Sequence, residues 1–393
     1  MGTSVMGTSP RLEMDRIIDD RRTRIIVCCG SGGVGKTTAA AAIGLRAAER
    51  GRQVCVLTVD PARRLAQSMG LTSLDNTPRL IDGVDDSSGG TLHTMMLDMK
   101  RTFDEIVEAH ADPARAAQIL ANPFYQSLSS SFAGTQEYMA MEKLGQLRRS
   151  DEWDLIVVDT PPSRSALDFL DAPERLGRFL DGRLIRVLTA PMKASRPFGK
   201  VLNAGFSVMT AAMTRLLGGQ LLRDAQTFIT AFDTLFGGFR ERAESTYKLL
   251  QAPGTAFLVV AVPEPDALRE AAYFVERLGE ERMPLAGLVL NRVHRSPAAR
   301  LSAPRSLAAA ETLESLIPND PASPSTVEGH AMAVAALRLH AERMNLSERE
   351  QRVAGAFTST HPAVPVAEVR ALPSDVHDLA GLRCLALDLA GDS

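Results

Sequence analysis

The chain has 393 residues, of which 45% are hydrophobic and 23% charged, and its formal net charge is −3. This length is enough for one large domain with an insertion or for two domains. The near-neutral charge argues against a dedicated nucleic-acid surface, and no run of about 18 uncharged apolar residues is present to span a membrane. Because Met1–Asp20 also lacks the apolar core of a signal peptide, we expect a cytoplasmic protein, peripheral to a membrane only through a partner.

Residues 1–22 mix Gly, Ser, Thr and charged residues, and this composition is typical of a mobile tail or a short leading helix. Residues 23–393 are interpreted as a single domain. Its first element is the apolar run Arg24–Cys29, which predicts a buried strand. The alanine-rich run Ala39–Arg50 predicts a helix that ends just before a glycine, Gly51.

A glycine-rich loop lies between that strand and that helix. Its spacing, G-x-x-x-x-G-K-[ST], is satisfied by Gly30, Gly35, Lys36 and Thr37. Such loops point backbone N–H groups at phosphate oxygens, and the following helix adds the positive end of its dipole. Lys36 would reach the β- and γ-phosphates, and Thr37 would offer its hydroxyl to Mg²⁺. The predicted nucleotide-binding residues of the loop are Gly30, Gly32, Gly33, Val34, Gly35, Lys36, Thr37 and Thr38, and Lys36 is also a catalytic candidate.

Apolar runs separated by helical patterns continue to the end of the chain, which predicts an α/β fold with a doubly wound, mainly parallel sheet. Ligands bind at the carboxyl ends of the strands in such sheets. The further predicted strands are Gln53–Asp60, Leu92–Asp98, Trp153–Asp159, Leu184–Ala190, Thr255–Val262, Leu285–Asn291 and Val364–Val369.

Two helical insertions, at about 99–150 and 191–252, exceed an ordinary crossover, and a third helical stretch covers 320–362. Apolar residues in the second insertion cover more than half of a helix circumference, so they need partners on several sides. An ordinary packed helical subdomain would supply those partners. The alternative is a Met-containing groove for a hydrophobic client or a membrane-protein partner.

Two aspartates follow predicted strands and are candidates for chemistry on the phosphates. Asp60 stands directly after the second strand, where a carboxylate could orient or deprotonate the attacking water; the alternative is a helix N-cap. Asp159 ends an apolar strand in the Walker B pattern, so we expect it to contact Mg²⁺ through water or through Thr37. Ser163–Leu170 would then form a segment that senses the γ-phosphate.

Asn291 and Arg292 end the strand at Leu285–Asn291, and the Asn amide can both donate to and accept from an adenine edge. No N-K-x-D sequence follows, so guanine specificity has no support. An asparagine in a simple turn is the alternative.

With these sites in place, the chain resembles the deviant-Walker ATPases of the arsenite-pump and tail-anchored-protein-targeting family, which have a P-loop NTPase fold of the SIMIBI type. The motifs that carry the resemblance are Gly30–Thr38, Thr58–Ala62, Asp159–Ser163, Val262–Glu264 and Asn291. The resemblance implies that Asp60 is the switch I catalytic residue, that Asp159 begins switch II and that Asn291 reads adenine. It also implies that Arg292 and Glu264 bind the nucleotide and that Ala133–Glu137 lie at the dimer and nucleotide interface. It also implies an ATP- and Mg²⁺-dependent dimer whose helical subdomains open and close.

Three positions depart from that family's pattern. The loop has Ser31 where the family carries a second lysine that crosses the dimer to the partner's phosphates. Arg164 and Ser165 replace the usual Gly-His of switch II, and no arsenite-binding cysteine set is present. The chain is therefore most similar to the lysine-lacking subunit of a paired actinobacterial branch. It is expected to be an ATPase that forms a homodimer or a heterodimer with a paralogue; the alternative is a regulatory subunit with little activity of its own.

Overall fold

The computed structural model describes residues 9–59, 69, 74–122, 125–126, 135–161, 241–316 and 324–391. Asp60, the predicted strand Leu184–Ala190 and the segment Ser163–Leu170 lie outside these residues. Most of the second helical insertion, 191–252, lies outside them as well.

The centre of the fold is an eight-stranded sheet in the order β3-β4-β2-β5-β1-β6-β7-β8. All neighbouring strands run parallel except β3 and β4, which are antiparallel. The predicted doubly wound, mainly parallel α/β sheet is therefore confirmed. The strands are β1 (Ile25–Cys29), β2 (Gln53–Thr58), β3 (Arg79–Leu80), β4 (Thr91–Met96), β5 (Leu155–Asp159), β6 (Thr255–Ala261), β7 (Leu285–Val293) and β8 (Val366–Arg370).

Helices cover both faces of the sheet. Helices α1, α2 and α10 contribute to one hydrophobic core, and α3, α4, α5, α7 and α9 contribute to the other. Within the described ranges, none of the helices combines the length and apolarity that crossing a membrane requires. The helices are α1 (Met14–Asp19), α2 (Lys36–Glu49), α3 (Met99–His110), α4 (Pro113–Leu120), α5 (Thr135–Ser150), α6 (241–251), α7 (Pro265–Glu280), α8 (Ala303–Ser315), α9 (Pro324–Thr360) and α10 (Leu379–Ala390).

Strand β1 shows why the chain folds as a sheet covered on both sides. All five of its residues are buried, and successive side chains enter opposite cores, as the period of two requires. The alanine-rich helix α2 lies close against this sheet because its side chains are small. A Cβ on Gly44 would lie 2.5 Å from the Val56 side chain, so the helix could not approach so closely with a larger residue there.

Most boundaries predicted from the sequence agree with the structure to within a few residues. Helix α2 ends at Glu49, and Gly51 adopts a left-handed φ of 84° just beyond it. This agrees with the prediction that the helix ends just before Gly51. Of the two alternatives for residues 1–22, the described part contains the short leading helix, α1. The two-residue strand β3 was missed because both its side chains are exposed and it has no apolar alternation to reveal it.

Candidate functional site

The glycine loop occupies the space between β1, β6 and the start of α2. Gly30 adopts a φ of 149°, and a Cβ there would lie only 2.1 Å from the carbonyl oxygen of Val260 on β6. A side chain at this position would therefore push the loop away from the sheet. Lys36 begins α2 and is only 6% exposed, and its Nζ donates a hydrogen bond of 2.8 Å to the carbonyl oxygen of Ser31. The lysine thus bridges the two ends of the loop.

The carboxylate of Asp159 joins this loop to two neighbouring strands. Its Oδ2 accepts a hydrogen bond of 2.7 Å from the Thr37 hydroxyl and another of 2.9 Å from the Thr58 hydroxyl. Asp159 is completely buried at the end of β5, and it is in register with Cys28 on one side and Thr58 on the other. The sequence predicts that Asp159 contacts Mg²⁺ through water or through Thr37, and the structure contains the Thr37–Asp159 hydrogen bond that the second route requires. The sequence reasoning did not single out Thr58 as a site residue. Its position in the motif Thr58–Ala62 was the available signal.

The chain leaves β2 beside this carboxylate. The backbone N–H of Val59 donates to the carbonyl oxygen of Asp159 at 3.0 Å. The next residue, Asp60, lies outside the described residues, so its catalytic role stays a prediction.

Asn291 is brought to the opposite side of the loop by β7. It is 7% exposed, and its Nδ2 donates a hydrogen bond of 2.8 Å to the carbonyl oxygen of Val34. Its Oδ1 accepts from the backbone N–H of Arg292 at 2.9 Å. Arg292 is exposed and has a φ of 59°, a left-handed conformation that is uncommon for a residue with a side chain.

A cavity of about 350 Å³ opens beside Asn291. Gly35 and Thr38 line it from the loop side, Asn291 and Arg292 from β7, and the turn 371–376 from the segment after β8. The sequence reasoning missed this turn, because nothing in its residue types marks it as part of a site. The cavity therefore adjoins the glycine loop, Asn291, which is predicted to read adenine, and Arg292, which is predicted to bind the nucleotide.

Two polar contacts support the walls of the cavity. His294, which follows β7, contacts Glu350 of α9 through its backbone N–H at 2.8 Å and through Nδ1 at 2.6 Å. Arg370, at the end of β8, donates to the buried carboxylate of Asp388 at 2.6 Å, and this partner raises the pKa of the Arg370 guanidinium. Each contact ties the end of a strand to a helix on a different face of the sheet.

Comparisons with known proteins identify the family of the chain. The anion-transporting ATPase family matches residues 23–302 of the chain, which is well over half of its length. The chain belongs to the anion-transporting ATPase family. Over 295 residues it is 25% identical to ATPase GET3 of Ajellomyces dermatitidis, covering 74% of this chain and 80% of that protein. It is 24% identical over 288 residues to ATPase get3 of Pyrenophora tritici-repentis, covering 71% and 76%.

The remaining residues that the sequence assigned to the site are Glu264, which lies outside the loop, and three residues of the loop itself. Glu264 precedes α7 at the carboxyl end of β6, where it is exposed and makes no side-chain capping bond. Gly32 and Gly33 are exposed at the tip of the loop, whereas Val34 is buried.

Three of the four cysteines are core residues in the sheet, whereas Cys384 of α10 is exposed. Cys28, Cys29 and Cys55 are buried in β1 and β2, and burial raises the pKa of the Cys29 and Cys55 thiols to about 12. Burial, together with the nearby Asp159 carboxylate, also raises the pKa of the Cys28 thiol. These thiols therefore stay protonated, as expected for small apolar residues of the core.

The side chains at the loop suit a hard divalent cation. Mg²⁺ is bound in proteins by one or two oxygen ligands together with substrate phosphates. The Thr37 hydroxyl and the Asp159 carboxylate supply oxygen atoms at the end of the glycine loop. The donor set fits Mg²⁺.

Proposed function

We propose that this protein binds ATP together with Mg²⁺ and hydrolyses it to ADP and phosphate. The observation that carries the proposal is the hydrogen bond of 2.7 Å between Thr37 of the glycine loop and Asp159 at the end of β5. This bond joins the two parts of the chain that P-loop nucleotide hydrolases use to hold phosphate and magnesium. Membership of the anion-transporting ATPase family supports the same activity.

Each residue of the loop has a chemical role in this proposal. The backbone N–H groups of Gly30–Thr38 cradle the phosphates, and Lys36 places its charge on the β- and γ-phosphates. Thr37 would hold Mg²⁺ directly, and Asp159 would accept a hydrogen bond from the Thr37 hydroxyl. The cation would supply positive charge against the phosphate oxygens. Asp60 would orient the attacking water or accept its proton.

The base would lie in the cavity beside Asn291 and Arg292, and Glu264 would border the nucleotide. We propose further that the protein works as a dimer, with the helical insertions 99–150 and 191–252 changing position with nucleotide state. Hydrophobic side chains of a client or of a membrane-protein partner would then meet these helices. The resemblance to the tail-anchored-protein-targeting family supports this part of the proposal.

Two substitutions test the site by separate effects. Lys36→Ala is expected to abolish ATP binding, because it removes the cation that meets the β- and γ-phosphates. Asp60→Asn is expected to spare binding and abolish turnover, because the amide cannot act as a base. Calorimetric titration with ATP and Mg²⁺ measures the first, and phosphate release measures the second. Lys100→Ala is the matched control, because Lys100 lies on the exposed surface of α3.

Serine at position 31 supports a second proposal, in which the chain is a regulatory subunit of a heterodimer. The position carries no cation of its own, and the contact seen there is between the Ser31 carbonyl and Lys36. A paralogous partner with a lysine at the equivalent position would supply the missing charge across the interface. Phosphate release by the purified chain alone is then expected to be slow and to rise when the partner is added. Brisk hydrolysis by the chain alone would exclude this second proposal.

A further inference from the structure

The amide of Asn291 is oriented by two backbone groups of opposite kind. The carbonyl oxygen of Val34 can only accept a hydrogen bond, and the N–H of Arg292 can only donate one. The Asn291 amide therefore has its NH₂ towards Val34, at 2.8 Å, and its oxygen towards Arg292, at 2.9 Å. Because the side chain is 7% exposed, these contacts are largely shielded from water.

The contact with Val34 fixes a peptide plane of the phosphate loop. In a trans peptide the C=O of one residue and the N–H of the next point in opposite directions. Holding the Val34 carbonyl towards Asn291 therefore turns the Gly35 N–H to the other side of the plane. That N–H belongs to the set of donors that meets phosphate in loops of this kind.

Gly35 itself is shaped to this contact. It adopts a φ of 95°, and a Cβ at this position would lie 2.3 Å from Nδ2 of Asn291. The amide thus occupies the space that a side chain would take. The glycine of the loop motif and the asparagine of β7 pack as one unit.

The oxygen of the amide contacts the last residues of β7. The pairing of β7 with β8 shifts register between Leu290 and Val293, so Asn291 and Arg292 lie at an irregularity of the strand. Arg292 adopts its left-handed φ of 59° there, and its N–H is bonded to the Asn291 side chain. The same amide therefore links the phosphate loop to the strand that borders the cavity.

We infer that Asn291 is a positioning residue for the phosphate loop and contributes to nucleotide affinity independently of the base. This inference rests on the proposed nucleotide binding and assigns to Asn291 a role other than reading adenine. Loss of the Asn291 side chain lets the Val34–Gly35 peptide rotate, which lowers the affinity of the loop for the phosphates of every nucleotide. A residue that reads adenine would instead affect ATP and leave other ligands unchanged.

Asn291→Ala separates the two roles when its binding is measured with three probes: ATP, GTP and inorganic tripolyphosphate, each with Mg²⁺. The affinities for all three are expected to fall by the same factor, on the order of tenfold, as the loss of the buried hydrogen bond to the Val34 carbonyl predicts. The ratio of ATP to GTP affinity is expected to stay at its wild-type value. A loss confined to ATP, or an unchanged affinity for tripolyphosphate, would overturn the inference.

Asn345→Ala is the matched control, because it makes the same substitution at an exposed position of α9. Its three affinities are expected to equal those of the wild type. If Asn291→Ala unfolds, Asn291→Leu carries the test at low temperature, since it fills the space with a side chain of similar shape that makes no hydrogen bond to Val34. Wild-type protein that binds none of the three probes would refute the proposed function itself, whereas a base-selective loss would refute only the role given to Asn291.

Discussion

The hydroxyl of Thr37 donates to the carboxylate of Asp159 at 2.7 Å, although the two residues are 122 positions apart in the chain. A threonine that binds a cation must leave its oxygen lone pairs free, so its proton needs an acceptor. Asp159 provides that acceptor. Thr58 donates to the same carboxylate oxygen at 2.9 Å, so it helps to fix the rotamer in which Asp159 accepts the hydrogen bond from Thr37.

Thr58→Val should therefore weaken the response to Mg²⁺. The substitution keeps the shape of the side chain and removes one hydrogen bond to a buried carboxylate, which contributes about 1.5 kcal/mol and corresponds to roughly tenfold in an equilibrium constant. We expect the Mg²⁺ concentration for half-maximal phosphate release to rise by about that factor. Nucleotide binding without Mg²⁺ is expected to stay unchanged.

Two variants serve as controls for this prediction. Thr58→Ser restores the hydroxyl and should restore the Mg²⁺ response. Thr94→Val makes the same change in the adjacent strand β4, where the buried hydroxyl contacts only the Val56 carbonyl among the bonds described. An equal Mg²⁺ shift in Thr58→Val and Thr94→Val would show that packing, and not the bond to Asp159, is responsible.

Arg52 is expected to be a main determinant of stability. It is 1% exposed, and its guanidinium donates to backbone carbonyls of Ile18, Thr23 and Asp154 at 2.6 to 2.7 Å. Lysine cannot span carbonyls that lie in different segments, because its donors share one nitrogen. Arg52→Lys should lower the free energy of unfolding by about 3 kcal/mol, because it leaves buried carbonyls without partners.

Urea denaturation followed by circular dichroism measures this effect. Arg16→Lys is the control, because Arg16 is a surface residue with an 84% exposed side chain, and its free energy of unfolding should match the wild type. A normal unfolding midpoint for Arg52→Lys would mean that the carbonyls find other donors or water.

The elements with strong local signals were predicted well from the sequence. Runs such as Ile25–Cys29 are apolar throughout because parallel strands are buried on both faces. The G-K-T spacing likewise indicates phosphate chemistry before any coordinates are known. The position of Asp159 at a strand end also predicted its meeting with Thr37.

The contacts that pair distant residues were not predictable in the same way. Nothing near Asn291 in the sequence indicates that its amide holds the Val34 carbonyl, because that contact depends on how β7 passes the loop. The pairing of His294 with Glu350 depends in the same way on where α9 crosses the end of β7. Single-residue types carry no signal for such tertiary contacts.

Asp15 should stabilise the fold in a pH-dependent way. Its carboxylate accepts from Arg46 at 2.5 and 2.6 Å and lies 3.4 Å from Arg50, and the hydrogen bond from Arg46 is the main reason that the Asp15 pKa is lowered. A lowered folded pKa gives stability that is present above the unfolded pKa of about 3.9 and is lost as the pH falls through the folded value. The contribution is at most about 1 kcal/mol, because solvent screens these partly exposed groups.

The test compares Asp15→Asn with the wild type in urea at neutral pH and near pH 3. The variant is expected to be less stable at neutral pH, and the difference should shrink as the wild-type carboxylate becomes protonated. Asp82→Asn, at an exposed position, is the control. A difference that stays constant across this pH range would assign the effect to packing and not to charge.

His93 of β4 should make the free energy of unfolding depend on pH near neutrality. Its ring packs edge-on against Trp153, with 4.8 Å between the centroids, and burial lowers its pKa while the nearby Glu152 opposes the change. The folded state therefore binds fewer protons than the unfolded state below a pH of about 6.5, so the free energy of unfolding falls as the pH decreases through that value. The glutamine of His93→Gln cannot be protonated, so this variant should lose less stability between about pH 7 and about pH 5.

Urea titrations followed by circular dichroism measure this loss of stability, with the exposed His377→Gln as the control. If the wild type and His93→Gln lose stability equally over this interval, another group is responsible for the acid sensitivity.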